Sequence, residues 1–446
     1  MLDYINSQNR EGLIKLGKKH KIIGHLSNFT SPYLSDDQLR MSIIKELELE
    51  EQMPNNQSGG NKNKSLKRKY AKKVPTKRLS KKQRDYTVFK NTNLAPMKSY
   101  FDFPRNGRLI GIGDLHGDLQ VTIKYLKLAG VIPMSTNHNM TEQSDLDKID
   151  WIGGNTIVVQ VGDQIDRCRP NNWYRDVCAD DCTYKDEGSD LKIMNLIDNL
   201  ANKAEKVGGK VISILGNHEM MNCVGDFRYV SPKEFEEFGV YCKAKRTQHK
   251  RIFPYGYKER KQAFSPGGII AKRYAEKHHS IVQVGDWIFC HGGITPQSAN
   301  KYTFDEVNYG IRNWLMGKRD RKTKEIFEFM YDDDDNGIFW TREFGDLGNW
   351  EDQRSEKLFK KTMDNVNSIN NRTMDKLAKG LVVGHTPQYM NNKGINSSCN
   401  GRMWRVDIGA SKAFGPCTSD EYENKFRKCA VLVIENGDEC KIIKEK

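Results

Sequence analysis

Short apolar runs that stop abruptly at polar residues recur from Arg108 to Ile434. Arg108-Leu109-Ile110-Gly111-Ile112-Gly113, Thr156-Ile157-Val158-Val159-Gln160-Val161 and Val211-Ile212-Ser213-Ile214-Leu215 each read as a buried strand. The segments between them carry helical spacing. One follows Asp118 through Val121, Ile123, Tyr125, Leu126 and Leu128 and ends near Gly130. The other runs through Leu191, Ile193, Met194, Leu196, Ile197 and Leu200. Alternating strands and helices predict an α/β layered fold. Further on, Ile281–Val284 and Trp287–Cys290 flank the turn Gly285-Asp286 and predict an antiparallel hairpin. The charged stretch from Gly225 to Ser280 predicts helices from Pro232 and from Ala271, and residues 301–375 predict mainly helix. Leu381–Val383, Met403–Ile408 and Ala430–Ile434 supply late strands.

The first part of the chain has a different character. Residues 1–52 hold two stretches of helical spacing, around Leu13, Ile14 and Leu16 and around Ile43, Ile44, Leu47 and Leu49, and are expected to form a helical extension. Residues 53–86 are nearly devoid of apolar side chains and are expected to be a disordered basic linker. The ordered domain is expected over 87–446. Of the formal net charge of +14, +11 lies between Asn61 and Tyr86, so the charge describes a tail rather than a basic fold. That segment, 61–86, reads as a solvated linker, an import-receptor signal or a weak, salt-sensitive nucleic-acid anchor. No apolar run is long enough to span a bilayer. The start Met1-Leu2-Asp3-Tyr4-Ile5-Asn6 lacks a secretory pattern. No membrane contact and an intracellular location, cytoplasmic or nuclear, are therefore expected. The 10 cysteines are scattered and do not suggest a disulfide framework. Cys168, Cys178 and Cys182 share one polar loop, as zinc ligands or as free or oxidisable thiols.

Chemistry concentrates where the apolar runs end. Gly113-Asp114-Leu115-His116-Gly117-Asp118, Gly162-Asp163-Gln164-Ile165-Asp166-Arg167, Gly216-Asn217-His218-Glu219, His291-Gly292-Gly293 and Gly384-His385-Thr386-Pro387 follow in that order. Asp, His and Asn at several strand ends suit two metal ions in one cleft, because a carboxylate bridges cations and imidazole suits Mn, Fe or Zn.

This order of motifs resembles the calcineurin-like metallophosphoesterase superfamily, in its phosphoprotein-phosphatase branch. Gly216-Asn217-His218-Glu219-Met220-Met221-Asn222 and Gly225-Asp226-Phe227-Arg228-Tyr229 are similar to the Shewanella-like phosphatases. The resemblance runs from about Gly107 to Ile434 and implies a four-layer α/β/β/α sandwich of two mixed sheets. It implies that Asp114 and His116 bind a first metal ion, that Asp163 bridges, and that Asn217, His291 and His385 bind a second. With two divalent or trivalent ions lowering the pKa of a bridging water, hydroxide would attack phosphorus in line. His218 is then the expected general acid for the leaving oxygen, with Asp166 orienting it, and Arg167 has the shape of a phosphate clamp.

Phe339-Trp340-Thr341-Arg342-Glu343 resembles a Trp-x-Arg segment of the same enzymes and nominates Arg342 as a second clamp. The alternative is a surface arginine paired with Glu343 or Asp346. The acidic run Asp332–Asp335 reads as a solvated loop. Two departures stand out: Cys168 replaces the usual glycine after Asp-Arg, and the segment from Arg169 to Gly188 is long. A protein phosphatase acting on phosphoserine, phosphothreonine or phosphotyrosine is the leading expectation. Hydrolysis of dinucleoside polyphosphates, RNA caps or phosphodiesters at the same site is the rival, and an inactive scaffold is the non-enzymatic alternative.

Overall fold

The computed structural model describes residues 96–170, 178, 185–239, 256–332, 336–346, 353–415 and 425–445. The expectations for 1–52 and 53–86, for Cys182 and for Asp333–Asp335 lie outside the described residues. Among the described residues there are twelve strands: β1 (Tyr100–Phe101), β2 (Arg108–Ile112), β3 (Ile157–Gln160), β4 (Lys210–Ile214), β5 (His278–His279), β6 (Ile281–Val284), β7 (Trp287–Cys290), β8 (Gly380–Val383), β9 (Asn396–Ser398), β10 (Met403–Arg405), β11 (Ala430–Glu435) and β12 (Glu439–Lys444). The longer helices are α1 (Leu119–Leu128), α2 (Asp190–Glu205), α3 (Asn217–Val224), α4 (Pro232–Gly239), α5 (Tyr257–Phe264), α6 (Ile269–Lys277), α7 (Phe304–Leu315), α8 (Arg321–Phe327) and α9 (Gln353–Ile369).

The strands form two six-stranded mixed sheets, ordered β12-β11-β2-β3-β4-β5 and β1-β6-β7-β8-β10-β9. Strand alternation explains how they stack. Leu109, Val159, Ile212 and Leu432 point from the first sheet into one apolar core with Val282, Trp287, Phe289, Val382 and Trp404 of the second. The alternate residues Ile110, Ile112, Val158, Val431 and Val433 point the other way. There they bury Ile123, Tyr125 and Leu126 of α1 and Ile193, Leu196 and Leu200 of α2. On the far side of the second sheet, the Asn308 side chain of α7 accepts from the Ser280 and Ile281 amides and donates to the Ile281 carbonyl, fastening α7 to β6. The architecture is the expected α/β/β/α sandwich. None of the helices in the described residues is long and apolar enough to cross a membrane.

The predicted hairpin matches β6 and β7, paired antiparallel from Ile281–Cys290 to Val284–Trp287. The late strand expected over Met403–Ile408 is shorter. The regular strand ends at Arg405; the Val406 amide still donates to the Val383 carbonyl, and the Asp407 carbonyl accepts from the Gln388 amide. Of the cysteine alternatives, the oxidisable one holds for two of the three: Cys168 and Cys178 are joined by a disulfide, both fully buried. Two sulfurs spent on each other cannot supply a zinc thiolate set, and neither is a free thiol.

Candidate metal centre

Topology gathers the motifs. Strands β2, β3 and β4 are parallel neighbours, so their carboxyl ends, followed by Asp114, Asp163 and Asn217, open on one edge. In the other sheet β7 and β8 are also parallel and end at His291 and His385. The loops are tied to one another by main-chain bonds. The Leu115 and His116 amides both donate to the Asp163 carbonyl at 2.9 Å, and the Gly384 amide donates to the His291 carbonyl at 2.9 Å.

Glu219 is the principal fastener, a residue to which the sequence assigned no role. Its Oε2 accepts from the amides of Gly216 at 2.6 Å and Asp163 at 2.9 Å, and its Oε1 from that of Gln164 at 2.8 Å. Burial and the neighbouring Asp163 push this carboxyl up to about 7, against the pull of the amides. Such fastening is needed because four site residues hold left-handed backbone: His116 (φ 42), Asp163 (φ 54), Asp166 (φ 74) and His385 (φ 66). Each such conformation costs about 1–3 kcal/mol unless its surroundings enforce it. Gly216 is required for a different reason. A Cβ there would lie 2.1 Å from Asp163 Oδ1 and 2.5 Å from its amide.

All six residues expected as metal ligands, Asp114, His116, Asp163, Asn217, His291 and His385, come together, and all are buried. Asp163 is central. Its Oδ2 lies 3.3 Å from His291 Nε2 and 3.8 Å from both His116 Nε2 and His218 Nε2. His291 Nε2 also lies 2.8 Å from Asn217 Oδ1, and His116 Nε2 3.8 Å from Asp114 Oδ2. Across the centre, the His385 amide donates to Asp114 Oδ2 at 3.1 Å.

The donor set fits cations. His291 Nδ1 and His116 Nδ1 face the carbonyls of Val161 (2.8 Å) and Ile165 (3.3 Å). A carbonyl only accepts, so each Nδ1 carries a proton, and Nε2 of His116 keeps a lone pair toward Asp163. Against burial, Asp163 raises the pKa of His291, whose Nε2 faces only acceptors and so calls for a proton or a metal ion. Lone pairs, an amide oxygen and carboxylates converging in a buried space require positive charge between them. Burial pushes His116 and His385 well below the usual imidazole range, into the neutral form that ligates metal. Burial, with Asp407 and Asp163 nearby, pushes Asp114 well up. Burial also opposes ionisation of Asp163, yet His291 and His218 hold its carboxyl well below the usual range. Asp407 is a further member that the sequence reading passed over, inside a run taken as strand. Burial raises it to about 6, and its Oδ2 has no hydrogen-bond partner among the described residues.

Behind the centre, His218 Nδ1 lies 2.7 Å from Asp166 Oδ2. Asp166 also accepts from Asn222 Nδ2, at 2.9 Å to Oδ1 and 3.1 Å to Oδ2, and from Arg260 Nη2 at 3.4 Å. Arg260, fully buried, binds Asp190 Oδ2 at 2.8 Å and Asn222 Oδ1 at 2.8 Å. Burial, opposed by Arg260, pushes the Asp190 carboxyl up to about 7. Asp166, Asp190 and Glu234 form a carboxylate cluster whose counter-charge is this guanidinium.

The two nominated arginines are placed differently. Arg342 Nη1 donates to the His385 carbonyl and to Thr386 Oγ1, both at 3.3 Å, which sets it beside the centre. Arg167 is fully buried, with Nη1 on Ser411 Oγ at 3.2 Å and 3.5 Å from Asp118 Oδ2. Its amide is held by Glu234 at 2.8 Å and 3.0 Å. It therefore braces the first two loops against each other.

The calcineurin-like phosphoesterase family model matches residues 107–408. The chain belongs to that family. This phosphoesterase is 31% identical over 336 residues to Shewanella-like protein phosphatase 2 of Arabidopsis thaliana, an alignment covering 70% of this chain and 73% of the relative. It is 29% identical over 318 residues to Shewanella-like protein phosphatase 1 of Plasmodium berghei, covering 70% and 69%. Among solved structures, the cold-active protein-tyrosine phosphatase of a psychrophilic Shewanella species matches with a TM-score of 0.48 at 18% identity, over 79% of this chain and 86% of that one.

Proposed function

We propose that this phosphoesterase is a protein phosphatase that hydrolyses phosphomonoesters with two metal ions, Mn, Fe or Zn. In this reading Asp114 and His116 would hold the first ion, Asn217, His291 and His385 the second, and Asp163 would serve both. Bound ions supply Lewis acidity toward phosphate oxygens and lower the pKa of a coordinated water. The chain's own groups do the rest. Asp163 and Asn217 fix the spacing of the two halves. Asp166 engages His218 Nδ1 and so turns Nε2 toward the centre, where it protonates the departing alkoxide or phenoxide. Arg342 steadies phosphate oxygens from the His385 side.

The observation that carries the reading is the His218–Asp166 pair at 2.7 Å, with His218 Nε2 facing Asp163 across 3.8 Å. A purely metal-storing or structural site has no use for a proton donor aimed at its centre. The names of two relatives, both protein phosphatases, support a phosphoprotein substrate. The test is a metal-dependent assay across phosphoserine, phosphothreonine and phosphotyrosine peptides, dinucleoside polyphosphates and capped RNA. Cleavage of peptides supports the reading. Cleavage of anhydrides alone replaces it with the anhydride reading, and no turnover of any substrate by the metal-loaded protein leaves the scaffold reading.

A further inference from the structure

On the His116–His218 side, Arg167 Nη1 is engaged by Ser411, whose hydroxyl donates to the His116 carbonyl. Another guanidinium stands there. Arg169 is only partly buried. Its guanidinium carbon lies 4.3 Å from the centroid of the Phe414 ring and 5.3 Å from that of Tyr229. Those rings are themselves the walls of the centre: Phe414 meets His116 edge-on at 5.3 Å, and Tyr229 meets His218 edge-on at 4.6 Å. Arg169 Nη1 donates to the carbonyls of Asp166 at 3.2 Å and Cys168 at 2.8 Å. Among the described residues its Nη2 and Nε have no hydrogen-bond acceptor, so one edge of the planar fork remains to be used. Packing against aromatic faces fixes the plane of that fork before any anion arrives.

The backbone that delivers Arg169 is also fixed. The amide of the preceding Cys168 donates to the Tyr229 carbonyl at 2.9 Å, and its sulfur is bonded to Cys178. Cys168 keeps φ out of the left-handed region. The departure from glycine at this position thus serves to anchor the chain one residue before the arginine.

We propose that Arg169 grips the substrate phosphate on the His116–His218 side, opposite Arg342 on the His385 side. This rests on the phosphomonoesterase reading, and the test separates the two. Metal-loaded wild type, Arg169→Gln and Arg169→Lys are titrated with inorganic phosphate by calorimetry. They are also assayed on a small aryl phosphate, and bound metal is measured in each. A charge-assisted fork is worth roughly 10- to 100-fold in anion affinity. Arg169→Gln is expected to weaken phosphate binding and raise KM by about that factor at unchanged metal content, with Arg169→Lys recovering part of the loss. Wild-type phosphate affinity in Arg169→Gln, or in a second charge-removing variant, Arg169→Met, overturns the assignment. Should phosphate binding depend on Arg169 while no phosphomonoester is hydrolysed, the grip stands and the proposed function falls.

Discussion

Replacing Asp166 by Asn tests the division of labour behind the centre. Asp166 is fully buried and both its oxygens are in use. Oδ1 accepts from Asn222 at 2.9 Å and Arg260 at 3.4 Å, while Oδ2 faces His218 Nδ1 at 2.7 Å. An asparagine has one acceptor oxygen for these two sides. If that oxygen serves Asn222 and Arg260, its amide N–H points at His218 Nδ1. That nitrogen must then accept, and the ring cannot carry a second proton. A positioned general acid contributes roughly 10²–10⁴-fold, so about 3–5 kcal/mol of transition-state stabilisation is at stake. The loss should depend on the leaving group. A serine alkoxide needs a proton as it departs, whereas a nitrophenolate does not. Asp166→Asn and His218→Asn are each expected to lower kcat on a phosphoserine peptide by about 10²–10³-fold or more, and to lower it far less on p-nitrophenyl phosphate. Metal content should be unchanged. Equal losses on the two substrates would refute the proton-donor role and reassign the pair to metal binding or structure.

Three further outcomes follow from the buried charges and the disulfide. Arg260→Met leaves Asp166 and Asp190 buried without their shared cation, and is expected to cost about 3–5 kcal/mol in urea unfolding; a loss below about 1 kcal/mol would contradict the network. Burial lowers His278 to about 3 and His279 to about 4, so both are neutral when folded and protonate in the unfolded chain near the ordinary value of 6.5. The unfolded state then binds more protons, and stability is lost as pH falls from about 6 to about 5, by about 1.4 kcal/mol from each ring. His278→Gln should flatten that pH slope relative to wild type, and an unchanged slope would show that the ring is protonated in the fold. Reducing the Cys168–Cys178 bond opens a loop with a sequence separation of 10, which should cost about 2–3 kcal/mol. A Cys168→Ser/Cys178→Ser variant whose unfolding midpoint does not move would contradict this.

The strand ends were legible because a buried strand leaves no room for Asp, His or Asn until it reaches the sheet edge. The five motifs therefore announced themselves as interruptions of apolar runs. The β6–β7 hairpin was equally plain from its alternation and its Gly285-Asp286 turn. Other features depend on partners far away in sequence. The contacts of Arg167 with Asp118 and Ser411 join residues far apart in the chain. Arg260 and Glu234 sit in a charged stretch with no motif, and only folding brings them behind Asp166. Asp407 was hidden by the extension of β10 through a run whose regular strand in fact ends at Arg405. Strands β1 and β5 contain two residues each and carry no periodicity, and β12 is a charged edge strand with mostly exposed side chains. Disulfide connectivity is not written in cysteine spacing, so the Cys168–Cys178 pair emerged only from the fold.

The central claim is that one buried carboxylate, Asp163, joins two metal ions into a single phosphate-cleaving centre. Its most direct test is the metal content and phosphopeptide turnover of wild type and Asp163→Asn, purified in parallel and reconstituted with Mn. The expected result is two ions and metal-dependent turnover in wild type, with at least one ion lost and turnover lowered by orders of magnitude in the variant. Wild-type metal content and turnover in Asp163→Asn would contradict the claim.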